Sequence, residues 1–226
     1  MSVWAIVPVK PLNRAKSRLA PVLAAEVREQ LATEMLSHTV AVLERSAAVS
    51  GILVISRDSR ALVVARRHGA RTVQESGTPA LSASLERATQ MIASWNAQAV
   101  LILPADLPLL AEEDLRTLVD LGRYHQSLVV TPDRHEYGTN AVLMRPPNLL
   151  PAQLGNGSFH QYISSGESMR ATVHIFRSER LMLDLDTPDD LQLYLNLCLR
   201  YRVEPLAGIT SDAVQSILAV SQKEKP

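Results

Sequence analysis

The stretch VWAIVPVKPLNRAKSRLAPVL, residues 3–23, joins an apolar run to a group of cationic side chains. The first seven residues are apolar and partly β-branched, which is typical of a buried strand. Lys10, Lys16 and Arg18 follow in a turn that contains no glycine. Strands that lead into phosphate-binding turns usually rely on glycine so that the backbone can approach the anion. This turn therefore either holds an anion through side-chain charge or is a solvated cationic turn whose long side chains lie over apolar surface.

The rest of the chain alternates between short apolar runs and longer amphipathic segments. Strands are predicted at residues 3–9, 51–56, 71–75, 99–104, 127–132, 140–145 and 171–176. Helices are predicted at about residues 24–48, 58–68, 80–96, 111–123, 188–201 and 211–222. Continuous apolar strands separated by helices indicate a three-layer α/β fold, in which a mostly parallel sheet is covered on both faces.

The composition narrows the class of protein. The 226 residues contain 23 Lys and Arg residues and 23 Asp and Glu residues, so the formal net charge is zero. Nucleic-acid and membrane-surface proteins usually carry a basic excess, and we therefore expect no nucleic-acid and no membrane partner. Neither a signal-peptide pattern nor an apolar run long enough to span a bilayer occurs, which predicts a cytoplasmic protein. Cys198 is the only cysteine, which excludes a zinc site built on thiolates.

Charged and small residues follow or precede several of the predicted strands. In a parallel α/β sheet, ligands bind beyond the carboxyl ends of the strands, so residues at that edge are candidates for a site. These candidates are Lys10, Lys16 and Arg18 after the first strand, Asp106 after the strand at 99–104, the GTN triplet at 138–140, and the segment DLDTPDDL at 184–191. Three cations, three carboxylates and a small-residue loop therefore gather at one edge of the predicted sheet.

Asp106 lies directly after an apolar strand, in the segment LILPADLPLL. An aspartate at such a place is often the cap or turn residue of a strand-to-helix connection. Here the signals for a helix start come a few residues later, at AEED (111–114), so Asp106 is not needed as that cap. We therefore interpret Asp106 as a functional carboxylate.

The segment TPDDL, residues 187–191, has the pattern of a helix start. Thr187 is suited to the N-cap, Pro188 to the first helical position, and acids to the first turn. Asp189 and Asp190 are thereby explained without a functional role.

Asp184 and Asp186 are not explained by that helix. Residues two apart in an extended segment point to the same face, so these two carboxylates would converge on one point. Two like charges held together need a cation between them, and hard oxygen ligands suit magnesium. Together with Asp106 they could form a one- or two-metal Mg²⁺ site for phosphate chemistry.

Histidine and serine patterns of other enzyme classes do not occur in the sequence. The six histidines are scattered, with no HExxH motif and no helical i, i+4 pair, and there is no GxSxG elbow. The sequence therefore disfavours a hydrolase with a serine nucleophile, and each histidine is expected to be a surface or core residue.

Five segments, in this order, resemble the phosphoenolpyruvate and 2-phospho-L-lactate guanylyltransferases of coenzyme F-420 synthesis. The segments are VPVKPLNRAKSRLAPVL, LPADLPLL, GTNAVLMRPP, LGNGSFHQYI and LDLDTPDDL, and the resemblance spans about residues 3 to 200. It implies a Rossmann-like nucleotidyltransferase domain of the glycosyltransferase-A type. It also implies an enzyme that joins GMP from GTP to phosphoenolpyruvate or 2-phospho-L-lactate and releases pyrophosphate.

Carried over residue by residue, this resemblance implies a site with three groups. The residues that would contact the nucleotide phosphates and act in catalysis are Lys10, Lys16, Arg18 and Asp106. The carboxylates that would hold Mg²⁺ are Asp106, Asp184 and Asp186. The residues that would bind the acceptor are Gly138, Thr139, Asn140, Gly155 and Ser158. In the last group, the glycines of GNGS (155–158) let backbone N–H groups approach an anion, although the same segment also reads as a plain turn before a helix.

The choice of substrate stays open within this resemblance. Ser82 stands where the family tends to have Asn, and Tyr162 where it often has His. The VPVKPLNRAKSRL opening is similar to bacterial members, which favours phosphoenolpyruvate, with 2-phospho-L-lactate and 3-phosphoglycerate as alternatives. Competing functions are another nucleotidyltransferase or sugar-nucleotide enzyme of the same fold, which usually opens with a glycine-rich loop, and a non-catalytic nucleotide-binding module.

The domain organisation predicted from the sequence is simple. A single nucleotidyltransferase domain is expected at residues 1–205, followed by a C-terminal helix and tail at 206–226. The apolar stripe of the helix at 211–222 could cover the domain or contact a second subunit in a homodimer. That stripe consists of Val214, Ile217 and Leu218.

Overall fold

A computed structural model describes residues 2–206 and 209, and these residues contain one seven-stranded sheet. In chain order, the strands are β1 (Val3–Val9), β2 (Gly51–Ser56), β3 (Arg71–Gln74), β4 (Ala99–Ile102), β5 (Ser127–Pro132), β6 (Thr139–Arg145) and β7 (Thr172–Ile175). Their order across the sheet is β3-β2-β1-β4-β6-β5-β7. Each strand predicted from the sequence is confirmed, and the ends differ by no more than two residues.

Six α-helices connect or flank these strands in the described part of the chain. They are α1 (Ala25–Arg45), α2 (Ser59–Arg67), α3 (Leu81–Ser94), α4 (Glu112–Leu121), α5 (Ser158–Ser168) and α6 (Pro188–Tyr201). Two single-turn 3-10 helices, Leu12–Arg14 and Ser17–Leu19, shape the loop after β1. Five of the predicted helices are confirmed. The sixth, at 211–222, and most of the tail at 206–226 lie outside the described residues.

Helix α5 was not among the predicted helices. Its sequence SFHQYISSGES contains several serines and a glycine, which are weak helix formers. Packing compensates for this weakness, because Phe159 and Tyr162 are buried against the sheet. A Cβ atom on Gly166 would lie 2.8 Å from side-chain atoms of Leu128 and Val173, so the glycine lets the helix approach β5 and β7 closely.

The sheet is mostly parallel, as predicted, with one exception that matters for the site. β6 runs antiparallel to both of its neighbours, β4 and β5, whereas the other pairs are parallel. The beginning of an antiparallel strand lies at the same edge as the ends of the parallel strands. Thr139, the first residue of β6, is therefore at the edge where β1 and β4 end.

The sheet is covered on both faces, which confirms the three-layer prediction. On β1, Ala5 and Val7 belong to an apolar cluster with α1, α2 and α4, whereas Ile6 belongs to a cluster with α3 and α5. This alternation follows from the two-residue period of a strand. A third cluster joins α1 and α6 to the loop after β1 through Leu19, which is fully buried.

Two further features concern membrane-spanning helices and the single thiol. In the part of the chain that the structure describes, no helix is both long and apolar enough to cross a bilayer. Cys198 is a free, buried cysteine on α6. Burial raises the pKa of its thiol, as expected for an inert core residue.

Candidate active site

A cavity of about 690 Å³ opens at the edge of the sheet where β1, β2, β3 and β4 end and β6 begins. It is lined by ten of the eleven residues that the sequence analysis selected. These ten are Lys10, Lys16, Arg18, Asp106, Gly138, Thr139, Asn140, Gly155, Asp184 and Asp186. The eleventh, Ser158, lies behind the wall of the cavity and is only 2% exposed. The structure thus brings together residues from across the whole chain.

Lys16 occupies the centre of this arrangement. Its Nζ lies 2.9 Å from Oδ2 of Asp106 and 2.9 Å from Oδ1 of Asp186, and its side chain is only 5% exposed. Burial alone would lower the pKa of Lys16, but the two carboxylates outweigh that effect and raise the pKa above its ordinary value. Lys16 is therefore a charged, buried cation at neutral pH.

The loop that carries Lys16 is held without glycine. The buried side chains of Leu12 and Leu19 anchor its two ends. The backbone N–H of Leu12 also donates to Oδ2 of Asp58 at 2.9 Å, while Oδ1 of Asp58 caps helix α2. Lys16 itself adopts a left-handed conformation with φ of 56°, which is uncommon for a residue with a side chain.

Asp106 joins the loop after β4 to the segment before α6. Its backbone carbonyl accepts a hydrogen bond from the N–H of Leu185 at 3.1 Å. Its Oδ2 pairs with Lys16, whereas its Oδ1 is buried and has no hydrogen-bond partner among the described residues. A buried carboxylate oxygen without a partner is costly, so this atom is a natural place for a ligand cation or donor.

Asp184 and Asp186 face the cavity, as the two-residue spacing predicted. Leu183, which precedes them, and Leu185, which lies between them, are buried in the core. Burial, followed by the negative charge of Asp106, raises the pKa of Asp184 to about 6. Its Oδ1 accepts a hydrogen bond from Nδ2 of Asn140 at 3.3 Å.

The pKa of Asp186 is shifted in the opposite direction from that of Asp184. Its Oδ1 pairs with Lys16, and its Oδ2 lies 2.8 Å from Nη2 of Arg18. Burial works against ionisation, but Lys16, Arg18 and Lys10 together hold the pKa of this carboxyl below its usual value. Asp186 is therefore ionised at neutral pH, with both oxygens paired to cations.

The cation between the predicted metal ligands is a lysine. Within residues 2–206 and 209, no three His, Cys, Asp or Glu side chains form a group that could hold a metal ion. Lys16 instead neutralises Asp106 and Asp186. The role of the three aspartates as Mg²⁺ ligands thus stays a prediction. The unpaired Oδ1 of Asp106 and the raised pKa of the buried Asp184 carboxyl are the features that fit a divalent ion.

The predicted helix start at residues 187–191 is confirmed. Thr187 is the N-cap of α6, and its hydroxyl oxygen accepts from the N–H of Asp190, while the Asp190 carboxylate accepts from the N–H of Thr187. Pro188 occupies the first helical position. Asp190 has a further contact that the sequence did not indicate, because its Oδ1 lies 3.1 Å from Nε of Arg134.

The proposed acceptor residues form the opposite wall. Oγ of Ser158, at the first position of α5, lies 2.8 Å from Oγ1 of Thr139 and 2.6 Å from the carbonyl oxygen of Gly155. Gly155 has φ of 97°, a conformation that side chains rarely adopt. At Gly138, a Cβ would lie 2.7 Å from Oδ2 of Asp133, an atom that accepts a hydrogen bond from the N–H of Gly138.

Sequence reasoning missed several charged residues that line the cavity, among them Arg57, Glu75 and Arg134. Arg57 follows β2 directly and Glu75 follows β3 directly. The rule that ligands bind beyond the carboxyl ends of strands would have selected both, had it been applied to every strand. Arg134 lies in the turn between the antiparallel strands β5 and β6, for which that rule gives no signal.

Comparisons with known proteins agree with this geometry. The family described as "Guanylyl transferase CofC like" matches residues 3–197. The phosphoenolpyruvate guanylyltransferase of Rubrobacter xylanophilus is 39% identical over 191 residues, which cover 84% of this chain and 92% of that protein. The 2-phospho-L-lactate guanylyltransferase of Methanothermobacter thermautotrophicus is 32% identical over 191 residues, which cover 84% of this chain and 83% of that protein.

Solved structures confirm the fold. A crystal structure from Desulfovibrio desulfuricans G20, assigned to the nucleotide-diphospho-sugar transferases, matches with a TM-score of 0.78 and 14% identity and covers 99% of this chain and 98% of its own. A cytidylyltransferase from Leptospira borgpetersenii matches with a TM-score of 0.60 and 17% identity, over 99% of this chain and 95% of its own. The predicted nucleotidyltransferase fold is therefore confirmed.

Proposed function

The chain belongs to the CofC-like guanylyltransferase family, and we propose that it transfers GMP from GTP to the phosphate of a small phospho-carboxylic acid. Phosphoenolpyruvate is the acceptor that we favour, because the more similar of the two relatives compared above is named for it. 2-Phospho-L-lactate is the alternative, after the second relative. The products are enolpyruvyl- or lactyl-diphosphoguanosine and pyrophosphate, in the synthesis of coenzyme F-420.

One observation carries this proposal. The buried Lys16 pairs with Asp106 and Asp186, and thereby fixes three loops around one cavity. Two more cations, Lys10 and Arg18, line the same cavity. The net charge of the whole protein is zero, so these cations are a local concentration of positive charge. A site that joins two phosphorylated molecules needs such a concentration.

The need for charge follows from the reaction. GTP and the acceptor are both polyanions, and two unit charges of like sign at 4 Å repel by about 4 kcal/mol when the effective dielectric constant is about 20. Lys10, Lys16 and Arg18 offset that repulsion at the point of approach. They also stabilise the charge that develops on the pyrophosphate as it leaves.

The proposed chemical step is an in-line displacement at the α-phosphorus of GTP. An oxygen of the acceptor phosphate forms a bond to that phosphorus, and the bond between the α-phosphorus and the bridging oxygen breaks, so the electron pair leaves with pyrophosphate. The attacking oxygen is already ionised at neutral pH. No proton has to be removed from it, and the site therefore needs no general base.

Thr139, Gly155 and Ser158 are proposed to bind the acceptor, together with Gly138 and Asn140. The N–H groups at the start of an eleven-residue helix favour an anion, and α5 begins at this wall of the cavity. Because Ser158 is buried behind Thr139, its hydroxyl acts on the acceptor by orienting the Thr139 hydroxyl. Asn140 lines the cavity and orients Asp184.

Mg²⁺ is the cofactor that we propose for this site. Asp106 and Asp184 would hold the ion together with Asp186, and the unpaired buried Oδ1 of Asp106 supports this choice. When bound, the ion would neutralise charge on the phosphates of the nucleotide and of the leaving pyrophosphate. Lys16 and Arg18 keep Asp186 ionised whether or not the ion is present.

The direct test is pyrophosphate release from GTP and Mg²⁺ with phosphoenolpyruvate, 2-phospho-L-lactate, 3-phosphoglycerate or a sugar phosphate as acceptor. We expect turnover with one of the two acceptors named for the relatives, and none with sugar phosphates. Asp106→Asn should reduce turnover by about 10²-fold or more. Asp189→Asn is the matched control, because Asp189 is an exposed acid at the start of α6 outside the cavity. Turnover with a sugar phosphate alone, or with no acceptor at all, would contradict the proposal.

A further inference from the structure

The cavity extends beyond the residues discussed so far, toward the outer strands β2 and β3. Its lining there includes Ile55 near the end of β2, together with Pro79 and Leu81 at the start of α3. Leu81 is 42% exposed, so its apolar side chain is open to a ligand. Apolar side chains around an open cleft suit the flat face of an aromatic ring. None of the roles proposed above uses this part of the cavity.

The order of the strands indicates which part of the substrates would lie in this region. The proposed acceptor residues lie at β6, and the cations lie after β1, which is separated from β6 by β4. The nucleoside must then extend from β1 to the other side, over β2 and β3. β3 is two strand spacings from β1, about 10 Å, which is the reach of a nucleoside from its α-phosphate to the edge of its base.

Glu75 is the carboxylate on this side of the cavity. It follows β3, and its backbone N–H donates to the carbonyl oxygen of Ser56 at 3.0 Å, which fixes its position against the end of β2. Its side chain is 15% exposed. One oxygen, Oε1, lies 3.1 Å from Nη2 of Arg87, and no residue that the structure describes donates to Oε2.

Arg87 holds this carboxylate without using up its acceptors. The guanidinium extends from α3, where its Nη2 also lies 3.4 Å from Oγ of Ser84. An ionised carboxylate can accept about four hydrogen bonds. Most of the capacity of Glu75 therefore remains available to a ligand in the cavity.

The chemistry of the purines makes such a carboxylate selective. Guanine presents two neighbouring donors, N1–H and the 2-amino group, which match the two oxygens of a carboxylate. Adenine presents an acceptor, N1, at the equivalent position, which would face negative charge. A site that offers only hydrogen-bond acceptors rejects a ligand that cannot donate to them, because the acceptors of the site are then buried without a partner.

Resting on the guanylyltransferase function proposed above, we infer that Glu75 is the residue that selects guanine, by accepting hydrogen bonds from N1–H and from the 2-amino group. Arg87 is a positioning residue, which sets the orientation of the Glu75 carboxylate. Ile55, Pro79 and Leu81 provide apolar contact for the purine ring.

Glu75→Gln tests this inference, since a glutamine amide can accept from N1–H but donates where guanine also donates. Xanthine carries a carbonyl oxygen in place of the 2-amino group, so the variant matches xanthine better than guanine. We expect kcat/KM for GTP to fall about 10- to 100-fold, as for the loss of one hydrogen bond to a charged group. The kcat/KM for XTP should rise above that of the wild type, so that the preference between the two nucleotides reverses. Glu86→Gln on the exposed side of α3 is the matched control and should leave both values unchanged.

A second variant and two more nucleotides distinguish a change in base preference from a general loss of folded structure. Glu75→Asp keeps the charge but shortens the side chain, so it should lose activity with GTP without gaining any with XTP. Wild-type protein should use ITP, which lacks the 2-amino group, less well than GTP, and ATP least. An equal loss with all four nucleotides, or an unchanged preference for GTP over XTP in folded Glu75→Gln, would overturn the inference.

A binding measurement separates this inference from the proposed function. Displacement of a fluorescent GTP analogue by GTP, ITP, XTP and ATP ranks the bases without any turnover. If no acceptor yields pyrophosphate but Glu75→Gln still reverses the ranking of GTP and XTP, the proposed reaction fails and the role of Glu75 stands. If turnover is present and the ranking does not depend on Glu75, the reaction stands and the role of Glu75 fails.

Discussion

Lys16 and Asp106 lie 90 residues apart in the chain, and their side chains form an ion pair with 2.9 Å between Nζ and Oδ2. Lys16 reaches Asp106 from a left-handed backbone conformation, which costs energy for a residue with a Cβ atom. The second contact of Nζ, with Asp186, and the buried side chain of Leu19 hold the loop in this conformation. The positive charge of Lys16 is therefore held in place by the protein itself, which is the condition for electrostatic catalysis.

The first prediction concerns the contribution of Lys16 to stability. Lys16→Met leaves Asp106 and Asp186 facing each other without the buried cation between them. We expect the free energy of unfolding to fall by about 1–3 kcal/mol at pH 7.5, less than for a fully buried pair because both carboxylates are partly exposed. Urea unfolding measures this difference. Arg18→Met is the control, and should cost under about 1 kcal/mol, because the Arg18 side chain is 70% exposed.

The pH dependence of this difference has a defined sign. The pKa of Asp186 is lower in the folded protein than its ordinary value of 3.8, because Lys16 and its neighbours favour the ionised form. Stabilisation by such a carboxylate is present above the unfolded pKa and is lost as the pH falls through the folded pKa. The deficit of Lys16→Met relative to the wild type should therefore shrink below about pH 4. A deficit that is constant down to pH 3 would show that the ion pair is not its cause.

The second prediction separates activity from stability in the same loop. Lys10 lines the cavity, is exposed at the end of β1, and has no ion pair in the part of the chain that the structure describes. Lys10→Ala should therefore lower turnover by about 10²-fold, the scale of one lost electrostatic contact in the transition state, while the melting temperature stays unchanged. Arg14→Ala is the matched control, because Arg14 is an exposed cation of the same loop outside the cavity. Equal effects of the two variants on turnover would mean that the loop acts only through its overall charge.

How far the sequence predicts this site can be judged from particular residues. The two-residue spacing of Asp184 and Asp186, with the buried Leu185 between them, was sufficient to place both carboxylates in the cavity. The sequence also indicated that a cation must lie between converging carboxylates and pointed to Mg²⁺, whereas the cation that lies between Asp106 and Asp186 in the structure is Lys16. Lys16 could not be identified from spacing, because its approach to Asp106 depends on a left-handed backbone and on the packing of Leu19.

Other features depended on tertiary structure in the same way. Helix α5 forms from residues with weak helix propensity because Phe159 and Tyr162 are buried, and burial is not visible in a local pattern. The antiparallel direction of β6 was also not predictable from its apolar run, since parallel and antiparallel strands of a covered sheet have similar sequences. The GTN triplet was nevertheless placed at the correct edge, and the direction of β6 is the reason why it lies there.

The third prediction concerns the acceptor wall. Ser158→Ala removes the hydroxyl that lies 2.8 Å from Oγ1 of Thr139. The carbonyl oxygen of Gly155 still accepts from the N–H of residue 158, so the turn keeps its backbone hydrogen bond. We expect the KM for the acceptor to rise about 2- to 10-fold, because the Thr139 hydroxyl loses the neutral hydrogen bond that orients it, and the KM for GTP to stay unchanged. Ser164→Ala, on the exposed side of the same helix, should change neither value. A rise in the KM for GTP instead would move Ser158 to the nucleotide side.

The fourth prediction uses the unusual carboxyl of Asp184. Burial and the neighbouring Asp106 raise its pKa to about 6 from 3.8, so the folded protein prefers the protonated form. The protonated Asp184 carboxyl contributes fully to stability at pH values below its pKa in the unfolded chain. This contribution is lost as the pH rises through about 6, its pKa in the folded protein. In EDTA, Asp184→Asn should therefore gain stability relative to the wild type between pH 4 and pH 7, by about 1–3 kcal/mol in the free energy of unfolding. Thermal unfolding at several pH values measures this gain, and Asp189→Asn, which removes an exposed acid, should show none.

Mg²⁺ provides the second half of the same experiment. If Asp184 and the unpaired Oδ1 of Asp106 are ligands, the ion stabilises the buried negative charge that Asp184 carries above pH 6, because metal binding requires the ionised carboxylate. Adding Mg²⁺ at pH 7.5 should then raise the melting temperature of the wild type and have little effect on Asp184→Asn. The increase should shrink as the pH falls below 6, where protons compete for the same oxygens. An equal increase in both proteins at both pH values would place the ion elsewhere and leave Asp184 as a buried acid without a metal.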